Sequence, residues 1–137
     1  MKDKVFIDTI LLIYSIDPRN KTKQKKARQL LKEILVGDVG VISTQVIEEF
    51  FVVATKKLGI SHELVKEIIT GFERFEVVQI TVEMIKHAID VSVLYKISFW
   101  DSLIIVSAES SKCTSLLTED LNSSQVIKGV TVLNPFM

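Results

Sequence analysis

The sequence predicts an α/β protein built on one parallel β-sheet with helices on both faces. Three observations carry this reading. Short β-rich runs alternate with segments of helical periodicity along the chain, the pattern of strands joined by helical crossovers. Only five Gly and two Pro occur, below the roughly ten and seven expected from average usage. The chain therefore lacks the many turns of a sandwich or barrel. Its 137 residues are 47% hydrophobic, which excludes disorder and suits one core. Residues 1–137 are read as a single domain.

The elements follow in order. Lys4 to Asp8 is a β-rich run, and Ile10 to Ile16 reads as a short helix leaving its end. Asp17-Pro18-Arg19-Asn20 is a turn, and Asn20 or Thr22 caps a helix to about Val36 in which Ala27, Leu30, Leu31, Ile34 and Leu35 share a face. Gly37 to Gly40 breaks it before a second strand at Val41-Ile42. Ser43 then caps a helix to about Leu58, closed by Gly59, and Ser61 caps another to about Arg74. Val77 to Ile80 is a third strand, and Thr81 opens a helix through about Lys96. Ser98-Phe-Trp-Asp101 has the form of a capping box, opening a helix to about Ser111. Ser115–Thr118 and Val130–Leu133 complete the strands, with no hairpin expected.

Charge and cysteine content narrow the class. Seventeen basic residues balance seventeen acidic ones, so any nucleic-acid contact must come from a local patch. One such patch exists: Arg19, Lys21, Lys23, Lys25, Lys26 and Arg28 lie together without an acid. It reads as a solvated helix face or as a phosphate-tracking surface for RNA. The single Cys113 excludes an internal disulfide framework and reads as a small buried hydrophobe in a reducing compartment. Lys2 and Lys4 before an apolar run imitate a signal peptide, but Asp8 interrupts it and no small-residue cleavage site precedes Asp17-Pro18. No stretch reaches the roughly eighteen apolar residues of a membrane span. The expected setting is the cytoplasm, without a membrane partner.

The acids carry the chemistry. Ligands of open parallel sheets bind beyond the carboxyl ends of the strands. Asp8 ends the first strand, Glu119 and Asp120 end the Ser115–Thr118 strand, and Asp101 opens a helix whose N-terminus faces the same edge. Asp101 and Asp120 also have ordinary uses, as a helix-capping and a turn acid. Asp8 is harder to dismiss, because a carboxylate within Phe-Ile-Asp-Thr-Ile-Leu-Leu-Ile is costly to bury alone. On a helical wheel Glu49 borders the arc of Val46, Phe50 and Val53, whereas Glu48 points outward. Several carboxylates on one rim call for a cation. Without convergent His or Cys the donors are all oxygen, which suits Mg²⁺ or Mn²⁺ and phosphodiester hydrolysis. His62 and His87 read as helix-surface residues.

These residues resemble the PIN-domain ribonucleases, particularly the toxins of VapBC-type toxin–antitoxin pairs. Phe6-Ile-Asp-Thr-Ile-Leu-Leu-Ile-Tyr14 is similar to the family's opening strand with its first metal-binding Asp. Ile42-Ser-Thr-Gln-Val-Ile-Glu-Glu-Phe50 resembles the segment of the family Glu, which falls on Glu49. Ile97 to Ile105 aligns the third acid with Asp101, and Leu116 to Leu121 puts the fourth at Asp120, with Glu119 its rival. The segments from Gln125-Val-Ile to Asn134-Pro-Phe136 are similar to the family's ending. The resemblance implies a PIN-like fold and a Mg²⁺- or Mn²⁺-dependent endoribonuclease. It also implies Asp8, Glu49, Asp101 and Asp120 as catalytic metal-binding residues, with an RNA substrate, a homodimer and a small antitoxin protein as partners. Two alternatives stay open: an RNA-processing nuclease outside a toxin pair, and a degenerate domain that binds RNA or an antitoxin without cutting. Ile10 favours the latter, because the family commonly has a small polar residue there. The same Ile10 argues against a haloacid-dehalogenase-type phosphatase, which needs Asp at that place. A response-regulator receiver would need paired acids after the first strand.

Overall fold

The strand–helix alternation is the alternation the chain adopts. The computed structural model describes residues 3–137. Its elements are β1 (Lys4–Ile7), α1 (Thr9–Ile16), α2 (Lys21–Gly37), β2 (Gly40–Ser43), α3 (Thr44–Lys56), α4 (His62–Phe72), β3 (Glu76–Val78), α5 (Val82–Tyr95), α6 (Phe99–Ser110), β4 (Cys113–Leu117), β5 (Val126–Ile127) and β6 (Val130–Leu133). Five helices begin where capping chemistry placed them. Asn20, Ser43, Ser61, Thr81 and Ser98 each accept the backbone N–H three residues on, worth about 1 kcal/mol per cap. Several boundaries differ: β3 runs over Glu76–Val78 instead of Val77–Ile80, β4 runs over Cys113–Leu117 instead of Ser115–Thr118, and two helix ends shift. Thr9 is already helical, so Asp8 caps α1 instead of ending β1. Gly37 stays helical, and Asp38 takes the left-handed closing position at φ 54°, its N–H bonded to the carbonyls of Ile34 and Leu35. Asp tolerates that conformation through its short polar side chain.

The six strands form one sheet in the order β3-β2-β1-β4-β6-β5. Every pairing is parallel except β5 with β6. That edge hairpin corrects the expectation of a sheet without hairpins. A strand of two residues is too short to show a period of two. The whole of β2 is buried, as expected of a strand covered on both faces. Gly40 is needed there, since a Cβ would meet Phe75 at 2.6 Å and Ile34 at 2.7 Å. Helix α6 is buried continuously from Ser102 to Ala108. It packs on β2, β4 and β6 and on α5, the position of an all-round apolar helix in a protein interior. Cys113 is buried, as read from the sequence.

The topology places the site. From β1 the chain steps outward to β2 and β3, then returns to the other side of β1 with β4. The junction of β1 and β4 is therefore the switch point, where crossovers diverge and leave a crevice. Ile7 and Leu117 lie in register there, and Asp8 N donates to the Leu117 carbonyl at 3.1 Å. The residues that follow, Asp8 and Thr118, leave the sheet side by side.

Candidate active site

A cavity of about 510 Å³ opens at this switch point, and Asp8, Glu49, Asp101 and Asp120 all line it. Four segments supply them: the β1–α1 junction, α3, the first turn of α6 and the loop after β4. Asp8 is 6% exposed. It accepts the Thr9 N–H and the Thr118 hydroxyl, both at 2.7 Å. Thr9 in turn donates its hydroxyl to Glu49 Oε1 at 2.7 Å, and the Gln45 amide reaches Glu49 Oε2 at 3.4 Å. Thr118 accepts the Asp120 N–H at 3.1 Å. Two threonines thus tie Asp8 to the segments that carry Glu49 and Asp120.

The four acids repel one another. Burial first, then the charges of Asp120 and Glu49, raises the Asp8 carboxyl to about 7, against its hydrogen bonds from Thr118 and Thr9. Burial and the charge of Glu49 raise Asp101, while its bond with Ser98 opposes the shift. Burial and the charges of Asp101 and Glu119 raise Asp120. The couplings close a ring: Asp8 with Glu49, Glu49 with Asp101, Asp101 with Asp120, Asp120 with Asp8. Glu48 also lines the cavity but is exposed. Lys57 is the one basic residue of the lining.

Glu119, the rival for the fourth position, faces elsewhere. It accepts the Tyr14 hydroxyl at 2.6 Å and is ion-paired with Lys23. Burial opposes the change, but those two bonds hold its carboxyl below the usual range. The Lys23 ammonium also lies 4.7 Å from the Tyr14 ring and 5.3 Å from the Phe136 ring. This cluster pins the loop on which Asp120 is presented. The basic run is partly spent in the same way, since Arg19 pairs with Asp17 and Arg28 bonds the Ser15 carbonyl. Both histidines sit on helix surfaces, His62 beside Glu63 and His87 beside Glu109.

The donor set fits a divalent cation. It is all oxygen, buried at Asp8, and without enough positive charge in the lining to balance it. Among the described residues no group of three or more acids, histidines or cysteines is placed to hold a metal ion. Sequence reasoning did not single out Thr9, Thr118, Gln45 or the indole of Trp100 as site residues. Gln45 was detectable in principle, because it precedes Glu49 by one helical turn and so shares its face.

An α/β sheet whose switch point gathers four carboxylates on one cavity defines a small domain with an acidic site at the carboxyl ends of its strands. Residues 5–128 match the PIN domain, and the chain belongs to the PIN-domain family. Solved structures agree on the fold. A toxin–antitoxin complex from Klebsiella pneumoniae superposes with a TM-score of 0.71 at 20% identity, covering 96% of this chain and 98% of that one. DNA-bound VapBC from Salmonella typhimurium gives 0.69 at 20%, covering 96% and 97%. VapC20 of Mycobacterium tuberculosis, described as a sarcin–ricin-loop-cleaving toxin, gives 0.69 at 16%, covering 85% and 90%. No curated protein matches the chain.

Proposed function

We propose that this protein is a Mg²⁺- or Mn²⁺-dependent endoribonuclease and the toxin component of a toxin–antitoxin pair. The observation that carries the reading is the convergence of four carboxylates on one cavity at the β1–β4 switch point, with Asp8 buried among them. Bound there, a divalent ion supplies charge neutralisation for the phosphodiester and acidity for the attacking water. Asp8 and Asp101 hold the principal ion. Glu49 and Asp120 orient water or complete a second site. Thr9 and Thr118 fix the rotamers of Asp8 and Glu49 through the hydrogen bonds described above, so the carboxylates are aimed before substrate arrives.

The toxin assignment draws on the VapBC structures that the fold resembles, and with it come an antitoxin partner and a cytoplasmic setting. No helix among the described residues is long and apolar enough to cross a membrane. A surface for the homodimer is offered by α5, where Val82, Ile85, Ile89 and Val93 form an exposed apolar stripe. A second reading, a binding domain that does not cut, is favoured by Ile10. It lines the cavity beside Asp8 and gives no hydrogen bond from its side chain. Incubation of the purified chain with single-stranded RNA, with Mg²⁺ or with EDTA, separates the two. Cleavage that EDTA abolishes supports the nuclease, and intact RNA at every metal concentration supports the binding domain.

A further inference from the structure

We propose that the apolar wall of the same cavity is a nucleobase subsite, in which Trp100 stacks one base of single-stranded RNA next to the carboxylates. The inference rests on the ribonuclease reading and extends it to how the substrate is held. Trp100 lines the cavity, immediately precedes Asp101, and is 61% exposed. Its indole meets Phe99 edge-on, with centroids 5.1 Å apart and planes at 77°. One ring is thus anchored while its neighbour is presented. Ile10, Ile13, Val52 and Ile104 continue the apolar wall, and Lys57 borders it.

A second observation points to a ligand. Gln45 is 3% exposed and borders the cavity. Its Nε2 donates to the Trp100 carbonyl at 3.1 Å and to Glu49 Oε2 at 3.4 Å. Both partners are acceptors, so the nitrogen must face them. Gln45 Oε1 is left buried with no donor, an uncommon state for an amide oxygen. A base supplies the flat face that the exposed indole lacks, and a small shift of the buried Gln45 amide would open its oxygen to a base-edge N–H. Its attached phosphate suits a metal-loaded acid ring a few atoms away and Lys57 beside it. The apolar wall shares one cavity with the acids, unlike the exposed apolar stripe that α5 offers to another protein chain.

Trp100 is the chain's only tryptophan, so intrinsic fluorescence reports on this position alone. The Asp8→Asn protein, which does not cut on the ribonuclease reading, is titrated in Mg²⁺ with short single-stranded homopolymers of A, C or U. Saturable quenching is expected. In the otherwise wild-type enzyme, Trp100→Ala raises KM about 10-fold with little change in kcat, and Trp100→Phe falls between. The exposed indole makes both variants foldable, which thermal unfolding verifies. Fluorescence that stays constant while labelled RNA binds overturns the proposal, as does a signal that follows protein concentration instead of RNA, the mark of a second copy covering the indole. Metal-dependent cleavage with unquenched Trp100 refutes the subsite alone. Absence of any metal-dependent cleavage refutes the ribonuclease reading beneath it.

Discussion

Replacing Asp8 with Asn removes a charge from the most crowded point of the site, and the metal-free fold should become more stable as a result. Moving a carboxyl from an ordinary 3.8 to about 7 corresponds to roughly 4 kcal/mol. The folded value lies above the unfolded one. The penalty is therefore absent below about pH 4, grows as pH rises toward 7, and is complete above it. Against this gain, Asn keeps an acceptor for the Thr9 N–H but must turn an amide N–H₂ toward the Thr118 oxygen, which already receives the Asp120 N–H. That mismatch costs about 1–2 kcal/mol. The net expectation at pH 8 in EDTA is a gain of roughly 2–3 kcal/mol, or about 10 °C in Tm for a chain of this size. At pH 4 the advantage disappears or reverses. Thermal unfolding of both proteins at the two pH values, by circular dichroism, measures it, and RNA cleavage is expected to vanish in the variant. An Asn variant destabilised equally at pH 8 and pH 4, or one cutting at the wild-type rate, would refute the reasoning and make Asp8 a structural residue.

The other expectations concern neighbours of the ring. Glu119→Gln weakens the tether to Lys23 and Tyr14, and should lower metal-dependent cleavage about 10-fold, whereas Asp120→Asn should abolish it. Equal losses in the two would reverse their roles. Ile10 borders the cavity and is absent from the core cluster, so Ile10→Asn should raise cleavage at limiting Mg²⁺ with Tm shifted by only a few degrees. A clear loss of stability with no gain in cleavage would show that its apolar contacts are what matter. Val93→Lys, at a position 74% exposed on α5, should leave the fold intact and shift light-scattering mass toward the monomer. An unchanged mass places any homodimer contact elsewhere.

What could be read from the sequence was the chemistry that acts over a few residues. Asn20, Ser43, Ser61, Thr81 and Ser98 were visible as caps because a side-chain oxygen and an N–H three residues away settle the matter locally. Glu49 was separable from Glu48 because 100° per residue puts them on different sides of α3, and Glu48 is indeed the more exposed. Glu119 and Asp120 were not separable. They are adjacent in an irregular loop without periodicity, and the partners that hold Glu119 lie 105 and 96 residues away. The same limit hid the Thr118 bond to Asp8, which spans 110 residues. The Asp8 boundary was misplaced for a different reason: a strand-ending residue and a helix cap are the same residue when no loop separates the elements.

Several misfits gather in one place. Over much of the fold the levels agree, with caps satisfied, β2 buried and α6 buried where its composition requires, although α5 leaves an apolar stripe exposed. Around one cavity they conflict: a carboxylate buried in an apolar run, three further acids that repel one another, an amide oxygen without a donor, and an exposed indole. The other buried side-chain atom without a partner among the described residues, His87 Nε2, still lies 3.3 Å from Glu109. Each conflict has a cost that core packing elsewhere must offset, and a sequence under selection for stability alone would remove them one by one. The conflicts also differ in kind. The carboxylates lack positive charge, Gln45 lacks a donor, and Trp100 lacks a face to cover it. A metal ion alone relieves only the first. On the ribonuclease reading, a nucleotide with its cation would neutralise the acids, cover the indole and, after a small shift of the Gln45 amide, offer it a donor, which is the argument for treating the acids and the apolar wall as one substrate site.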